Sequence, residues 1–420
     1  MYQDILNELS WRGLINQVTD QEKLEEILKQ PAKLYVGVDP TADSMHVGHL
    51  LPILILKRFM AYGHTPVVLA GGGTGQIGDP SGRSSERVLL SPEQIQHNAD
   101  KLIIQFKKIL DVKEGEDKVI IKNNNDWLSD ISIIEFLRDY GKHFSVNTML
   151  AKEVVASRLE TGISYTEFTY QILQSLDWLK MYEEDNVAIQ LGGSDQWGNI
   201  TAGTDLIRKK HPESVVAGIT MPLIVKSDGT KFGKSAGGAI WLDKEKTSPY
   251  QMYQFFINSA DNDVIHYLKV FTFLSKEEID QLEKDLQENP HLRNAQKALA
   301  KEMVCMVHSE EDYNKAVEIS QALFSGDISN LDIETIKASF EGVPSSSMAI
   351  DSLNIVDFLV DNQICKSKRE AREFISNNSI SINGNKVNDL EFTVKKEDAF
   401  NKEITIVRRG KKNYYKVDWS

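Results

Sequence analysis

The sequence predicts an α/β fold with a doubly wound parallel sheet, because two strand-like apolar runs flank a helix early in the chain. Residues 34–38 and 66–70 are short runs rich in strand-forming residues. Residues 46–62 between them have a helical pattern, and Pro52 falls near its first turn, where a missing N–H costs little. A strand, a crossover helix and a second strand within about 40 residues form a βαβ unit, whose strands run parallel.

The same alternation of strands and helices continues to about residue 244. Apolar periodicity predicts helices at 92–110, 132–141 and 166–180 and strands at 118–122 and 187–191. We therefore assign residues 1–244 to one sheet-containing domain.

The middle of the chain is predicted to be all-helical. Strand-like segments disappear after about residue 245, and helical patterns such as 277–287 and 292–308 take their place. Residues 342–347 are rich in proline and serine, as linkers are. These patterns predict a helical domain at 245–330 followed by a linker at 331–350.

Residues 351–420 are predicted to form a separate small α+β module. Two amphipathic helices, at 354–362 and 367–377, precede a hairpin whose turn is Asn383-Gly384.

The net charge of this end of the chain differs from that of the rest. Residues 345–420 hold 13 Lys and Arg against 11 Asp and Glu, or +2, whereas the preceding 344 residues hold 35 against 50, or −15, giving −13 in total. A polyanion would therefore meet local basic patches rather than the whole surface.

Several classes of protein are disfavoured by composition. The longest apolar stretch, residues 50–60, is interrupted by Pro52 and Lys57 and is too short to span a membrane. The first residues are mixed polar and acidic, unlike a secretory signal. Cys305 and Cys365 are far apart and outside any zinc-binding spacing, as expected of buried cysteines in a reducing cytosol. We therefore expect a cytoplasmic protein with no membrane span and no zinc or other bound metal site.

A histidine pair, His46-Val-Gly-His49, stands at the start of the first crossover helix. Ligands bind at the carboxyl ends of strands in such sheets, and a helix N-terminus offers free N–H groups that favour phosphate oxygens. Imidazole groups there could stabilise charge on a phosphorus under attack, and Gly48 would let a purine approach the backbone. By itself the pair also fits two surface or capping histidines.

A second motif is the lysine loop, which we define as residues 226–235. Asp228-Gly229 makes a turn, and Gly233 leaves the following backbone flexible. Lys231 and Lys234, three residues apart, are suited to hold a departing polyphosphate. Alone, such a loop is more often a solvated basic turn.

The helix predicted at 166–180 carries a polar stripe. Tyr170, Gln174 and Asp177 fall on one side of it, and leucine and isoleucine side chains on the other. Phenol, amide and carboxylate groups could bind an amino acid, although an exposed solvent face is the simpler interpretation. Ser164 and Glu167 resemble a capping box that would begin the helix.

Two glycine-rich segments complete the set of motifs. Residues 190–199 follow a strand and combine glycine with side-chain amides, and Asp195 could accept hydrogen bonds from hydroxyl groups. Residues 73–78 match the GxGxxG pattern of dinucleotide-binding proteins, but Asp79-Pro80 follows at once, where a helix should begin. A nicotinamide-dependent oxidoreductase is therefore only weakly supported.

Taken together, the motifs resemble those of class I aminoacyl-tRNA synthetases. The two signatures of that class, usually written HIGH and KMSKS, correspond to His46–His49 and to Lys231–Ser235, roughly 185 residues later. Val47 replaces isoleucine and Phe232-Gly233 replace methionine and serine, and neither departure removes a histidine or a lysine. The resemblance narrows to bacterial-type tyrosyl-tRNA synthetases on the strings YVGVDPTADSMHVGHL, AGGGTGQIGDPSGR, YTEFTYQILQSLD, QLGGSDQWGNI and GTKFGKS, which span residues 35–235. The order of the later domains also agrees, so the resemblance covers nearly the whole chain.

The resemblance implies a Rossmann-like catalytic domain, a helical domain and an S4-like RNA-binding domain. It also implies that L-tyrosine and ATP, with Mg²⁺, give tyrosyl-adenylate and pyrophosphate, and that tyrosine is then transferred to tRNA(Tyr). Members of this family are expected to be homodimers. Tryptophanyl-type synthetases share the framework, and an RNA-binding regulator without catalysis is a further alternative.

Roles for individual residues follow from the same resemblance. For tyrosine, it implies that Tyr35 and Asp177 contact the phenolic hydroxyl and that Asp79, Tyr170, Gln174 and Gln190 surround the ammonium group. For ATP, it implies contacts from Gly37, Asp39, Gly48, Gly193, Asp195, Gln196 and Lys234. For the reaction, it implies stabilisation of the α-phosphorus by His46, His49, Lys231 and Lys234, with Thr41 at the γ-phosphate. For tRNA, it implies contacts from Lys366, Lys368, Arg369 and Arg372.

Overall fold

The computed structural model describes most of the chain as two compact units. The first unit comprises Met1–Lys246 with Ser259–Leu299, and the second comprises Thr247–Asn258 with Ala300–Ser420. The described residues are 2–81, 90–113, 118–160, 162–230, 232–235, 238–325, 328, 331, 333–340, 343–410 and 413–420.

The helices and strands are numbered here in chain order. The helices are α1 (Asp4–Trp11), α2 (Gln21–Ile27), α3 (Leu50–Ala61), α4 (Pro92–Ile109), α5 (Asn125–Leu128), α6 (Ile133–Glu135), α7 (Val146–Leu150), α8 (Glu153–Ala156), α9 (Tyr165–Asp185), α10 (Trp197–Lys210), α11 (Pro249–Ile257), α12 (Asp261–Phe271), α13 (Lys276–Glu288), α14 (Asn294–Val307), α15 (Glu310–Ser325), α16 (Ile333–Ser339), α17 (Ile355–Asp361) and α18 (Lys368–Ser376). The strands are β1 (Gln17–Val18), β2 (Lys33–Val38), β3 (Thr65–Ala70), β4 (Ile120–Asn123), β5 (Val187–Gly193), β6 (Ala217–Met221), β7 (Lys234–Ser235), β8 (Gly238–Ala239), β9 (Ser345–Met348), β10 (Ser352–Asn354), β11 (Ile380–Ile382), β12 (Asn385–Val387), β13 (Thr393–Lys395), β14 (Ile404–Arg409) and β15 (Asn413–Trp419).

The first unit is built on a six-stranded sheet in the order β1-β6-β5-β2-β3-β4. All neighbouring strands run parallel except β1, which pairs antiparallel with β6 at one edge. The doubly wound α/β prediction is therefore confirmed, and α3 is the crossover between β2 and β3. The strand order reverses between β2 and β5, and the carboxyl ends of strands at such a point form the usual ligand crevice.

Most predicted elements are present with small shifts at their ends, but two differ in kind. The helix predicted at 46–62 begins at Leu50, after a separate 3₁₀ turn at Val47–His49. The helix predicted at 132–141 is divided, since α6 is followed by a π-helical turn at Phe136–Tyr140. In the described ranges, no helix combines the length and apolarity needed to cross a membrane.

Two buried arginines join α1 and α3 to the carboxyl end of α12. Arg58 on α3 is 1% exposed and donates to the main-chain oxygen of Thr272 at 2.6 Å. Arg12, just after α1, donates to the main-chain oxygens of Lys269 at 2.9 Å and Leu274 at 2.6 Å. Burial, followed by the charge of Arg12, lowers the pKa of Arg58 to about 9. The guanidinium groups thus satisfy carbonyl groups that a helix end leaves without partners.

The second unit contains a five-stranded sheet in the order β12-β11-β14-β15-β9. The predicted hairpin joins β11 to β12, and Asn383 and Gly384 have φ of +47° and +87°, as two-residue hairpin turns require. Helices α17 and α18 contribute Phe358 and Ile375 to the core under this sheet. The predicted order of two helices and a hairpin is therefore present.

The stretch predicted as a linker, 331–350, differs from that expectation. It contains α16, whose Ile336 packs with Ile404 and Ile406, and it contains β9, which pairs parallel with β15. Composition suggested a linker because β9 is an edge strand made of small polar residues. Its partner lies about 70 residues further along, where a local rule cannot detect it.

We predict that Arg58→Ala lowers the unfolding free energy by ~3 kcal/mol, because it removes a buried side chain together with its hydrogen bonds to the main-chain oxygens of Val270 and Thr272. Urea unfolding followed by tryptophan fluorescence measures the change. Arg208→Ala is the matched control, since Arg208 is exposed and pairs with exposed Asp205, which is worth under about 0.5 kcal/mol. Equal effects of the two substitutions would contradict the role given to Arg58.

Candidate active site

A chain of hydrogen-bonded side chains crosses the carboxyl ends of β2, β3 and β4. Tyr170 Oη donates to Asp39 Oδ2 at 2.9 Å, and Thr74 Oγ1 donates to Asp39 Oδ1 at 2.8 Å. Asn124 Nδ2 donates to Thr74 Oγ1 at 2.8 Å and to Asp177 Oδ2 at 2.9 Å. Two predicted residues of α9, Tyr170 and Asp177, are thus joined to the ends of neighbouring strands, and both are buried. The exposed-stripe interpretation of this helix is therefore wrong.

Asp177 is a buried carboxyl group with an altered pKa. Burial raises its pKa to about 7, although hydrogen bonds from Asn124 and Trp127 act in the opposite direction. Trp127 Nε1 donates to Asp177 Oδ1 at 2.8 Å. Tyr35 on β2 is 1% exposed, and burial first and the nearby charge of Asp177 second raise the pKa of its hydroxyl group. Among the residues that the structure describes, Tyr35 Oη has no hydrogen-bond partner.

A second cluster of amides and one carboxylate connects α9, α10 and the turn after β3. Gln196 Nε2 donates to Asp79 Oδ2 at 2.7 Å. Asn199 Nδ2 donates to Gln196 Oε1 at 3.1 Å and to Gln174 Oε1 at 3.0 Å. The predicted residues Asp79, Gln174 and Gln196 therefore lie together. Ser81 N also donates to Asp79 Oδ1 at 2.9 Å, which fixes the orientation of the carboxylate.

The other predicted residues of this region lie at the ends of β2 and β5. Gln190 on β5 is 2% exposed, and its Oε1 lacks a hydrogen-bond partner within the described ranges. Gly37 lies in β2, and Thr41, three residues beyond that strand, donates its main-chain N–H to the main-chain oxygen of Asp39 at 2.8 Å. A side chain added to Gly193 would place its Cβ 2.4 Å from Asp195 Oδ1. Glycine at 193 thus lets the Asp195 carboxylate lie against the end of β5.

The two histidines lie in the 3₁₀ turn that precedes α3. Their rings stack with centroids 3.8 Å apart, because residues i and i+3 eclipse each other in a 3₁₀ turn. His46 Nδ1 accepts a hydrogen bond from the N–H of Gly48 at 3.1 Å. A Cβ on Gly48 would lie 2.8 Å from His46 Cε1, so this position of the ring requires glycine. His46 is therefore also a cap, which was the alternative interpretation of the pair.

The backbone of the lysine loop reaches the histidine turn. Val47 N donates to Ile240 O at 2.9 Å, Ile240 N donates to Gly233 O at 3.0 Å, and Leu242 N donates to Met45 O at 2.8 Å. Gly233 has φ of +87°, and a Cβ there would lie 3.1 Å from Gly48 N. The two motifs, far apart in sequence, thus meet through their main chains.

The lysines of the loop can be placed only in part. Lys231 lies outside the described residues. Lys234 begins β7, and only its backbone is described.

Four residues of the site were given no role in the sequence analysis: Thr74, Asn124, Trp127 and Asn199. A signal for Asn124 was available, because Asn123, Asn124 and Asn125 form a polar run directly after a strand of a parallel sheet. The carboxyl ends of such strands are the expected place for ligand-binding side chains. Asn199 lies in the segment 190–199 already singled out for its amides, whereas Trp127 gave no comparable signal, since its partner Asp177 is 50 residues away.

The residues predicted to contact tRNA belong to the second unit. Lys366, Lys368, Arg369 and Arg372 lie on α18 or just before it, and all four are exposed. Lys368 Nζ also pairs with Asp357 at 2.5 Å. Within the described part of the chain, no group of three or more His, Cys, Asp or Glu side chains is placed to hold a metal ion.

We predict a pH-dependent contribution of Asp177 to stability. Its folded pKa of about 7 exceeds the ordinary 3.8, so stability from its neutral form is fully present below about pH 4 and is lost as the pH rises through 7. The unfolding free energy of Asp177→Asn minus that of the unmodified chain should therefore increase by about 3 kcal/mol from pH 5 to pH 8. Urea unfolding at each pH measures it, and a pH-independent difference would contradict the raised pKa.

Comparisons with known proteins identify the family of the chain. Residues 28–325 match the family described as tRNA synthetases class I (W and Y), and residues 335–417 match the tyrosine–tRNA ligase SYY-like C-terminal domain. The chain is 55% identical over 415 residues to tyrosine–tRNA ligase 1 of Enterococcus faecalis (strain TX4000 / JH2-2), covering 98% of each chain. It is 54% identical to tyrosine–tRNA ligase of Staphylococcus carnosus (strain TM300), covering 100% of each.

A solved structure of similar fold is a C-terminally truncated mitochondrial tyrosyl-tRNA synthetase of Aspergillus nidulans. Its TM-score is 0.67 at 32% identity, and the match covers 76% of this chain and 94% of that one. Sequence identity of this size over nearly the whole length, with both family models matched in order, establishes the family. The chain belongs to the class I aminoacyl-tRNA synthetases and, within that class, to the tyrosine–tRNA ligases.

Proposed function

We propose that this chain activates L-tyrosine with ATP, releasing pyrophosphate, and transfers tyrosine from tyrosyl-adenylate to the 3′ end of tRNA(Tyr). The buried pair of Tyr35 and Asp177 carries the proposal. A substrate phenol lying between them would donate a hydrogen bond to the Asp177 carboxylate and accept a hydrogen bond from Tyr35 Oη, which has no other partner among the described residues. Phenylalanine would leave Tyr35 Oη without a partner and would offer Asp177 no donor beyond Asn124 and Trp127, and this loss is the physical basis of selectivity.

The tyrosine ammonium group is assigned to the oxygens of Asp79, Tyr170 and Gln174, with Gln190 close by. Support comes from the hydrogen-bonded cluster in which Asp79 and Gln174 are joined through Gln196 and Asn199. Gln190 Oε1 is buried and has no described partner, as expected of an acceptor that awaits a ligand donor. A cation at this point would find a carboxylate and several amide oxygens.

Activation needs positioning and charge stabilisation rather than an enzyme nucleophile. The tyrosine carboxylate oxygen forms a bond to the α-phosphorus of ATP as the bond to the pyrophosphate oxygen breaks. His46, His49, Lys231 and Lys234 would stabilise the charge that develops on the phosphate oxygens. The contact between the histidine turn and the lysine loop supports this assignment, since both would face one triphosphate.

The remaining assignments concern the rest of ATP and its metal ion. Thr41 is assigned to the γ-phosphate, and the nucleotide would lie along Gly37, Asp39, Gly48, Gly193, Asp195 and Gln196. Most of these residues lie at or just beyond the carboxyl ends of β2 and β5, where the strand order reverses, and Gly48 lies in the histidine turn; these positions support the assignment. Mg²⁺ would arrive with ATP, since it is commonly held by substrate phosphates and few protein groups.

Binding of tRNA is assigned to the basic surface of the second unit. Exposed Lys366, Lys368, Arg369 and Arg372 suit phosphate contacts, which give affinity without reading sequence. Since tRNA and ATP are both abundant in the cytoplasm, we propose that compartment for the reaction.

We also propose that the chain acts as a homodimer. Six large apolar side chains between residues 133 and 165 of the first unit are about half exposed or more. They are Ile133, Ile134, Leu137, Val146, Leu159 and Tyr165. Ile133 is 73% exposed and Tyr165 71%. Such a concentration of exposed apolar residues is typical of an interface, and a second copy of the chain is the partner we propose.

Pyrophosphate exchange with each of the twenty amino acids tests the reaction. Tyrosine alone should support exchange into ATP, and tryptophan should not. We predict that His49→Ala slows tyrosine-dependent exchange by about 10²- to 10³-fold, because it removes a hydrogen-bond donor that stabilises only the transition state. The KM for tyrosine should change little.

Tyr35→Phe is the matched test of specificity. It should reduce the preference for tyrosine over phenylalanine by about tenfold with only a small effect on phenylalanine itself. An unchanged rate for His49→Ala would exclude the assignment to the α-phosphorus, and exchange supported by tryptophan would exclude the tyrosine-specific reaction.

We predict that replacing Ile133 and Leu137 by aspartate shifts the chain from dimer to monomer, because charge at a buried apolar contact is costly. Sedimentation velocity measures the state of both proteins. The matched control replaces exposed Ile104 on α4, which is 64% exposed and lies outside the segment, by aspartate. A dimer that survives the double substitution would place the interface elsewhere.

A further inference from the structure

We infer that one face of α12, formed by Asp263, Tyr267 and Phe271, positions the lysine loop for ATP activation. These three residues, which we call the α12 face, follow each other at intervals of four and therefore share one side of the helix. The inference rests on the proposed function, because that function gives Lys231 and Lys234 their role at the polyphosphate.

Two points of the lysine loop contact the α12 face. Near the start of the loop, Ser227 N donates to Asp263 Oδ1 at 3.0 Å. Near its end, the ring of Phe232 lies 4.8 Å from the ring of Phe271, nearly parallel to it, and 4.8 Å from the ring of Tyr267. In the sequence the two contacts lie on either side of position 231, and both precede Lys234, so the helix holds the loop before position 231 and directly after it.

Phe232 is buried, although a run of exposed residues lies shortly before it in the loop. Residues 227–230 are exposed, whereas Phe232 is only 7% exposed. Gly229 and Gly233 on either side have positive φ, of +79° and +87°, so the backbone there has little resistance of its own to other conformations. An aromatic side chain held between two rings is therefore what selects one conformation of the loop.

The α12 face is itself fixed relative to the histidine turn. Arg58 and Arg12 bind the main-chain oxygens at the carboxyl end of α12, and Arg58 belongs to the helix that begins at that turn. From Phe232 the chain passes to Gly233, which meets Gly48 of the same turn. A closed path of contacts thus links the histidines, α3, α12 and the loop, all within the first unit.

This arrangement makes the three residues positioning residues, which act on ATP through the lysines. If the loop no longer packs on α12, a smaller fraction of molecules has the lysines in the position that binds ATP. The apparent affinity for ATP then falls in proportion to that fraction. Tyrosine, which is assigned to groups on α9 and β2, should bind as before.

A double-mutant cycle tests the inference in the full chain. Phe232→Leu and Phe271→Leu each keep apolar volume and remove the stacked ring. We predict that each raises the KM for ATP in tyrosine-dependent exchange by about tenfold, and that the double variant is scarcely worse than either. The KM for tyrosine should stay within about twofold in all three. Phe232→Leu alone keeps the test available if Phe271→Leu fails to fold.

Two controls separate positioning from general stability. Val264→Ala removes a fully buried side chain of the same helix outside the α12 face, and should lower the melting temperature without raising the KM for ATP. Arg208→Ala, an exposed substitution outside α12 in the same unit, should behave as the unmodified chain. The inference would be overturned, and the proposed function left standing, by an unchanged KM for ATP in active Phe232→Leu and Phe271→Leu variants. An equal rise in the KM for ATP and the KM for tyrosine would have the same consequence. Absence of tyrosine-dependent exchange by the unmodified chain would overturn the proposed function, and this inference with it.

Discussion

The main-chain pairing of residues 45–47 with 240–242 is the constraint on which the candidate active site depends. It brings Gly233 against Gly48, so that two motifs from different parts of the chain share one edge of the sheet. A Cβ at position 233 would lie 3.1 Å from the main-chain nitrogen of Gly48, and the positive φ of Gly233 is disfavoured for other residues. The approach therefore needs glycine, even though the family signature is usually written with serine there.

The substrate side of the site is dominated by buried polar groups that satisfy one another. Asp39, Thr74, Asn124 and Asp177 form a continuous hydrogen-bonded chain, with Tyr170 at one end. Burial opposes the ionisation of Asp177, and the donors Asn124 and Trp127 favour it, which is why its pKa settles near neutrality. The ionisation of a carboxyl group in that balance responds strongly to one further hydrogen-bond donor. The hydroxyl group of a substrate phenol would be such a donor.

The buried arginines connect this chemistry to the rest of the first unit. Arg58 lies about two turns after the start of α3, and it binds the end of the helix against which Phe232 packs. Burying a guanidinium group is costly unless its donors find acceptors, and the carbonyl groups at the end of α12 supply them. Stability and loop position are thus linked through one helix.

The sequence by itself determined the doubly wound sheet, the hairpin at Asn383-Gly384 and the two motifs. Each depends on local chemistry, namely apolar periodicity, positive φ at a turn, or residue types at fixed spacing. Only the tertiary structure decided that the lysine loop meets the histidine turn, that Asn124 and Trp127 hold Asp177, and that β9 pairs with β15 where a linker was predicted. Those contacts join residues tens to hundreds of positions apart, and their energies come from burial and main-chain pairing that no local pattern encodes.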